Sequence, residues 1–300
     1  MTMARVPLVY VVMLTYNHCE DTLRALDSLS RMRYPNWRLL VVDNHSLDQT
    51  VEQVRDRFPS IEIIVNPVNL GFAAGVNVGI RRALDEGADL VLVINNDVIV
   101  APSMLARLVE AVTPGVGAAA PLIYYLSEPK RIWSSGFSRH PLLLEMRDGA
   151  RGELDRGRWQ SPFEVDYLLG CAMLLSRTAL DDVGLFNERY FFYYEDLDLC
   201  LRMQERGYCL ITVPRAKMWH KGAGSAEMAS AFRAYHMARS SVIFFGTHAR
   251  GLQKPLCLVF RLGSAMRKSL QFMGNGQLFL LRHYWRGIID GWRVYRSSVQ

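Results

Sequence analysis

Val91-Leu92-Val93-Ile94-Asn95-Asn96-Asp97 is the stretch from which the rest of the chain is read. Four apolar residues in a row, three of them β-branched, describe a strand buried on both faces, as in a parallel sheet. The run ends abruptly in two amides and a carboxylate. Open α/β sheets bind ligands at the carboxyl ends of their parallel strands. Asp97 therefore stands where such a sheet presents a charge, and a carboxylate there suits a divalent cation held on phosphate oxygens.

Working outward, the same strand-then-helix unit recurs. Val9 to Leu14 is a buried strand, and Glu20 to Met32 carries Leu23, Leu26, Leu29 and Met32 on a helical stripe, with Glu20 and Asp21 at its dipole-favoured start. Arg38 to Asp43 is a second strand. Asp48 caps a helix with Val51, Val54 and Phe58 on one side. Ile61 to Val65 is a third strand, and Asn69 to Asn77 opens a helix through Leu84. After Asp97, Pro102 starts a helix carrying Met104, Leu105, Leu108 and Val112. Four such repeats predict an α/β fold with a mostly parallel, doubly wound central sheet and flanking helices. Arg147 to Trp159, charged and Gly-rich, reads as an exposed loop. Tyr167 to Ser176 and Tyr208 to Val213 read as further strands.

Composition is that of a globular chain: 50% hydrophobic, 21% charged, 300 residues. The five cysteines are scattered, with no C-x-x-C pair, which argues against a disulfide framework or zinc knuckle and for a reducing compartment. The amino end carries no signal-peptide pattern, and no apolar run reaches the length of about 18 that a membrane span needs. The net charge of +6 is unevenly held: residues 221–300 contain twelve Lys/Arg against two Asp/Glu, residues 1–220 are mildly acidic, and no nucleic-acid partner is expected. The last fifty residues read as two amphipathic helices joined at Gly274-Asn275-Gly276. Leu256, Val259, Phe260, Gly263, Met266, Leu270 and Met273 share a face of the first; Leu278, Leu281, Trp285, Ile288, Trp292 and Tyr295 share a face of the second. Basic residues off a Trp- and Leu-bearing stripe describe helices lying in an anionic membrane interface. Packing on the catalytic domain or on a second copy is the alternative. The expected division is a catalytic domain at 1–245 and a basic helical tail at 246–300.

Asp43 and Asp97 stand at strand ends on one sheet edge, so one can accept from ribose or base and the other can face a metal-bound diphosphate. The Gly71/Gly75 turn lets backbone approach a nucleotide closely. Asp196 follows five aromatic residues, Tyr190 to Tyr194, that can shape a sugar pocket, and it is placed to take a hydroxyl proton. Asp198 reads as an i, i+4 partner of Arg202. His220, just beyond a strand, makes with Asp97 an N/O pair suited to Mn²⁺ more than to an all-oxygen Mg²⁺ site.

The ordered set Thr15-Tyr16-Asn17, Val42-Asp43-Asn44, Asn69 to Asn77, Asn95-Asn96-Asp97, Gly170-Cys171-Ala172-Met173, Glu195-Asp196-Leu197-Asp198 and Trp219-His220 closely resembles the inverting family 2 glycosyltransferases, over residues 7–245. The likeness is to the rhamnosyltransferase branch that builds bacterial O-antigen and cell-wall polysaccharides. It implies the Rossmann-like GT-A fold with C-terminal amphipathic helices, and transfer of a sugar, L-rhamnose from dTDP-L-rhamnose, to an acceptor hydroxyl. It places Thr15, Tyr16, Asn17, Asp43 and Asn77 in the nucleotide pocket, with Asn44, Gly71, Asn95 and Asn96 beside them on the donor side. It makes Asp97 the metal-binding carboxylate of the D-x-D motif, His220 the second ligand of a divalent Mn²⁺ or Mg²⁺, and Asp196 the base, with Tyr194, Glu195 and Trp219 toward the acceptor. One departure stands out: Asn95 replaces the first carboxylate of D-x-D, so the site carries one charge fewer for a metal. A lipid-linked saccharide at the cytoplasmic membrane face is the expected acceptor, and a homo-oligomer is compatible with the tail.

Three rivals follow from the residues. A nucleotidyltransferase needs a Gly- and Lys/Arg-rich phosphate loop after the first strand, and Thr15-Tyr16-Asn17-His18 is neither. A glycosidase needs two carboxyls facing each other about 5 Å or more apart, which the neighbours Glu195 and Asp196 do not supply. A catalytically inactive sugar- or glycan-binding subunit would have no need of Asp97, Asp196 and His220.

Overall fold

The computed structural model describes residues 5–222 and 228–297, and the chain divides into two units. One comprises 1–138, 148–187 and 196–222, the other 139–147, 188–195 and 223–300. The chain order is β1 (Val9–Thr15), α1 (Cys19–Leu29), β2 (Trp37–Asp43), α2 (Thr50–Arg57), β3 (Glu62–Val65), α3 (Gly71–Asp85), β4 (Leu90–Asn95), β5 (Val98–Val100), α4 (Met104–Ala111) and β6 (Val116–Tyr125). Short strands follow: β7 (Ile132–Ser134), β8 (Phe137–Arg139), β9 (Met146–Asp148) and β10 (Phe163–Glu164). Then come β11 (Ala172–Ser176), α5 (Arg177–Val183), α6 (Glu195–Glu205), β12 (Cys209–His220), α7 (Met228–His248), α8 (Gln253–Gly274) and α9 (Leu278–Arg296).

The main sheet runs β10-β12-β6-β11-β4-β1-β2-β3, with β5 paired to β12 and β7 to β6. Strands β4, β1, β2 and β3 are parallel neighbours, as the repeats predict. The other half is mixed, because β11 runs antiparallel to both β4 and β6. Only the last five residues of the expected Tyr167–Ser176 strand join the sheet. Strand β12 runs well past Val213, where Pro214 suggests an end. The ladder with β6 slips between Val213 and Lys217 and then resumes, since a bulge accommodates a proline that cannot donate to the sheet. That resumption carries Trp219 and His220 along β5.

Helices α1 and α4 cover one face of the sheet: Leu26, Leu29, Met104, Leu105 and Leu108 share a core with Val11, Met13, Leu92 and Ile94. Alternation along β1 turns Val12 to the other face, under α3. A Cβ on Gly79 would collide with Val12 and Val42, and one on Gly75 would lie 3.0 Å from Leu14 Cδ1. The glycines of α3 thus let the helix rest directly on the sheet, and overfilling here costs roughly 1–3 kcal/mol. This gives Gly75 a packing role. The Arg147–Trp159 segment is fastened, not loose: Ala150 is buried with Tyr124 and Ile132, Arg131 donates to the Gly152 carbonyl, and the Tyr124 hydroxyl donates to Asp155 at 2.6 Å.

In the second unit α9 packs on α7 through Gly287 and Gly291, where a Cβ would strike the carbonyls of Tyr235 and Arg239. The sequence-derived boundary at 245 falls inside α7. Helix α7 buries Ala231, Ala238, Ile243, Phe244 and Phe245 along with Ser240 and Ser241, so it lacks the one-sided stripe that would reveal it in sequence. Helix α8 buries only Cys257, Ala265 and Phe272, a seam of about one residue per two turns. Its apolar face, including Val259, Met266, Leu270 and Met273, is exposed, Val259 to 70%. Among the described residues no helix is long and apolar enough to cross a membrane.

Candidate active site

The carboxyl ends of β1, β2 and β4 are level, with Thr15 opposite Asp43 and Leu14 opposite Asn95. Asp43 is fully buried. Its Oδ1 accepts from the Ser46 amide at 2.9 Å, while Oδ2, equally buried, has no hydrogen-bond partner among the described residues. An acceptor left so costs roughly 1–3 kcal/mol, which a ligand donor can recover. Asn17 and His18 both have positive φ, a strained conformation for side-chain-bearing residues. It is held by the second βα loop: Asn17 N–H donates to Ser46 Oγ at 2.7 Å, and Leu47 N–H donates to Asn17 Oδ1 at 2.8 Å. Tyr16, between the strained pair and β1, is 41% exposed, a ring free to stack on a planar ligand.

Other donor-side residues are braces. Asn44 Nδ2 donates to Asn69 Oδ1 and to the Gly71 carbonyl, both at 2.9 Å, and its Oδ1 accepts from Asn66 and Leu70. It fixes the turn where Gly71 adopts φ 78° and opens α3. Asn77 holds the Phe186 backbone at both ends, its Nδ2 donating at 2.8 Å and its Oδ1 accepting at 3.1 Å. Its amide is turned to that loop. Asn96 Nδ2 donates to Thr15 Oγ1 and Thr22 Oγ1, both at 3.0 Å, so Thr15 too faces inward.

Asp97 meets His220 across the β5–β12 ladder. His220 Nε2 lies 3.2 Å from Asp97 Oδ1, yet the approach is not aligned for a hydrogen bond, and this buried Oδ1 has none among the described residues. The imidazole is clamped by Trp133, stacked at 4.4 Å, and its Nδ1 accepts the Gly222 amide at 2.8 Å. Two ligands bound at right angles to one ion, each at about 2.1 Å, stand about 3.0 Å apart, so the pair suits a shared cation. Binding at Nε2 requires the proton to sit on Nδ1, and so the Gly222 amide to turn away. Among the described residues no third His, Cys, Asp or Glu joins them, and the remaining ligands would have to be phosphate oxygens and water. Lys221, next in sequence, is committed to Asp21 at 2.7 and 3.0 Å, tying this corner to α1.

Asp196, in the first turn of α6, is partly accessible. Its Oδ2 accepts from the Tyr167 hydroxyl at 2.8 Å and the Gly170 amide at 2.9 Å, and its Oδ1 from the Leu197 amide at 2.9 Å. A carboxylate offers about four lone-pair sites. Three are taken, leaving one for an incoming hydroxyl. Burial pushes this carboxyl above its ordinary value of 3.8, and the three hydrogen bonds pull the other way. A Cβ on Gly170 would sit 3.3 Å from Asp196 Cβ, close enough that the Asp196 side chain would have to shift by a few tenths of an ångström. The next residue links the two corners: the Cys171 carbonyl accepts from the Asn95 amide at 3.0 Å, and its thiol is pushed up by burial and then by Asp97 and Asp196.

Asp198 is buried and paired with Arg202 Nε at 2.7 Å, and Arg202 also donates to the carbonyls of Val183 and Leu185. It is the structural partner read from the i, i+4 spacing. Trp219 lies on the face of β12 opposite His220, stacked on Tyr124 at 6.0 Å and donating to the Pro129 carbonyl, so the structure does not bring it to Asp97. Tyr194 and Glu195 belong to the second unit, where the Tyr194 ring packs against Phe244 and Phe245 and Glu195 is buried. Sequence reading missed Trp133, Tyr167, Thr22 and Ser46; they lie far from their partners along the chain or are common loop residues, and only Gly170 stood inside a quoted motif.

A Rossmann-like sheet with this edge is consistent with the GT-A fold that the sequence resemblance implies, and known proteins show the family. The family described as "Glycosyl transferase family 2" matches residues 10–184, and the chain belongs to that family. It is 31% identical over 287 residues to the N-acetylglucosaminyl-diphospho-decaprenol L-rhamnosyltransferase of Mycobacterium tuberculosis, covering 87% of this chain and 91% of that protein. It is 24% identical to the dTDP-rhamnosyl transferase RfbF of Shigella flexneri, over 71% of this chain and 68% of that one. The mannosyltransferase PcManGT from Pyrobaculum calidifontis, solved with GDP-Man and Mn²⁺, superposes with a TM-score of 0.56 at 17% identity, over 98% of this chain and 87% of that chain.

Proposed function

We propose that this glycosyltransferase moves L-rhamnose from dTDP-L-rhamnose to a hydroxyl of a lipid-linked saccharide, with inversion, at the inner face of a cell membrane. The observation that carries the reading is the pair of buried, unsatisfied carboxylate oxygens, on Asp43 and Asp97, along one sheet edge. Asp43 would accept from the nucleoside, with Tyr16 stacking on the base. Asp97 and His220 would hold a divalent cation whose charge offsets that gathering on the departing diphosphate. Asn95 makes that hold weaker than two carboxylates would. Asp196 would take the acceptor's proton through its one remaining lone pair, kept in line by Tyr167, Gly170 and Leu197. The names of the two bacterial relatives support the sugar, and that of the mycobacterial one supports the lipid diphosphate.

The exposed apolar face of α8, between basic residues, supports attachment to anionic lipid; self-association of that face is the competing reading. The test is a screen of nucleotide sugars by melting-temperature shift with and without Mn²⁺, followed by release of nucleoside diphosphate in the presence of a polyprenyl diphosphate-linked sugar. The expected result is a shift by dTDP-L-rhamnose and acceptor-dependent release of dTDP. Stabilisation by another nucleotide sugar alone removes the rhamnose assignment, and release without sugar transfer removes the acceptor.

A further inference from the structure

The helical unit contains two adjoining recesses of opposite character. One, of about 250 Å³, lies among α7, α8 and α9 and is walled largely by Phe245, Leu258, Leu262, Ala265, Ile288 and Trp292. The other, of about 320 Å³, is lined by Arg189, Arg250 and Lys254. They share Gly246, Ala249, Lys254 and Tyr295 as a common wall. Local packing explains the apolar recess. Glycines draw α9 onto α7, while α8 buries only Cys257, Ala265 and Phe272 and otherwise meets the pair through polar contacts, Arg261 donating to Ser241 Oγ and Trp285 donating to Ser269 Oγ. At its floor Gly246 admits the Tyr295 ring, which a Cβ would approach to 2.8 Å.

An apolar recess sheds water in favour of hydrocarbon, and a cluster of arginine and lysine favours phosphate. We infer that the second unit binds one amphiphile, an isoprenyl chain in the apolar recess with its phosphate or diphosphate in the Arg189–Arg250–Lys254 recess, and that this amphiphile is the lipid part of the acceptor. The inference rests on the lipid-linked acceptor proposed above, and adds where its chain and head are held. Nothing in it depends on α8 reaching a bilayer, since both recesses lie within the helical unit.

Calorimetric titration of the full chain with geranylgeranyl diphosphate, geranylgeraniol and inorganic diphosphate is the test. The diphosphate with its chain should bind at least about tenfold more tightly than either half. Reversing two charges in Arg250→Glu/Lys254→Glu should weaken it about tenfold or more and leave geranylgeraniol unchanged. Leu262→Trp, made at an exposed position on the recess wall, should weaken both chain-bearing ligands while the melting temperature holds. Equal binding of alcohol and diphosphate by the parent, or parent-like binding by Leu262→Trp, overturns the site. Displacement of the isoprenyl diphosphate by phosphatidylglycerol at equal concentration reassigns it to bulk lipid and overturns the acceptor role. Transfer to a soluble saccharide without a lipid chain separates the two levels: a parent that transfers sugar but binds no isoprenyl diphosphate loses this inference alone, and one that binds the lipid but transfers no sugar loses the proposed function.

Discussion

The sheet edge and the last two helices break the usual partition of residues in opposite senses. At the edge, Asp43, Asn44 and Asn77 are almost wholly buried, and oxygens of Asp43 and Asp97 are left without hydrogen bonds. On α8 and α9 the reverse holds, with Val259, Met266, Leu270, Leu278 and Phe279 more than half exposed. Buried polar groups and exposed apolar patches are the informative exceptions in a folded chain. On the function proposed above, each region is finished by what it lacks: the first by a small ligand rich in donors and charge, the second by an apolar partner, lipid or a second copy of the same face. The difference also separates what substitutions do. At the edge a change of one atom should alter chemistry, whereas on α8 only a change of polarity should matter.

The largest effect is expected at Asp196. Asp196→Asn should lower kcat by roughly 10²–10⁴-fold, the usual worth of a positioned base, with donor affinity retained. Because all three neighbours donate to this carboxylate, the new amide must turn its NH₂ toward one of them, so a small fall in melting temperature should accompany the loss. Unchanged turnover, measured by nucleoside diphosphate release, would place the base elsewhere. Asp97→Ala and His220→Ala should each weaken Mn²⁺-dependent donor binding, by about 10–100-fold, and the double variant should lose far less than the product because both hold one ion. Additive losses in a titration of donor against Mn²⁺ would mean that the two act separately.

Asp198→Asn tests the buried pair against the site two residues away. Breaking a buried ion pair costs about 3–5 kcal/mol, and the partial exposure of Arg202 brings the expectation to about 2 kcal/mol. Denaturant unfolding should show that loss while kcat per folded molecule stays near the parent's. A loss of turnover with unchanged stability would exchange the roles of Asp196 and Asp198. On α8, Val259→Glu/Leu270→Glu should reduce sedimentation with anionic vesicles about tenfold or more and leave the melting temperature unmoved, since both side chains already face solvent. If the variant instead changes from dimer to monomer by light scattering while vesicle binding persists, the face is a self-association surface.

The same contrast marks what was legible in the sequence. The parallel half of the sheet was, because its strands and helices carry local periodicities and its charged residues sit at strand ends. Asp198 with Arg202 was too, as an i, i+4 pair. The antiparallel insertion of β11 was not, since a buried strand reads alike in either direction. Asn44 and Asn77 stand in the right motifs, but their bonds to Asn66, Asn69 and Phe186 are set by loop closure, which spacing does not encode. His220 reaches Asp97 only because β12 bulges past Pro214, the residue that ends the strand on paper. The apolar stripe of α8 was visible, but a stripe tells that a face is apolar and not what covers it. Helix α7 was lost because it is buried on several sides.

The smallest effect is the most diagnostic of the edge, because it moves a pH dependence and little else. The Tyr167 hydroxyl donates to Asp196 Oδ2 and favours the charged carboxylate, against the burial that raises its pKa. In Tyr167→Phe the ring keeps its packing against Phe137, and only that donor is removed. The carboxyl should then titrate higher still. A base works only when ionised, so activity is lost as pH falls through its pKa, and the acid limb of the kcat/KM profile should move up by about one unit. Stability follows the opposite course. A carboxyl raised above its unfolded value contributes stability that is complete below the unfolded pKa and is lost as pH rises through the folded one, so the variant should lose most at neutral pH and least in acid. Rates on the high-pH plateau should stay within about twofold, because Gly170 and Leu197 still hold the carboxylate in line. An acid limb that does not move, in a variant with parent-like donor affinity, would show that Asp196 is not the group whose ionisation the reaction needs.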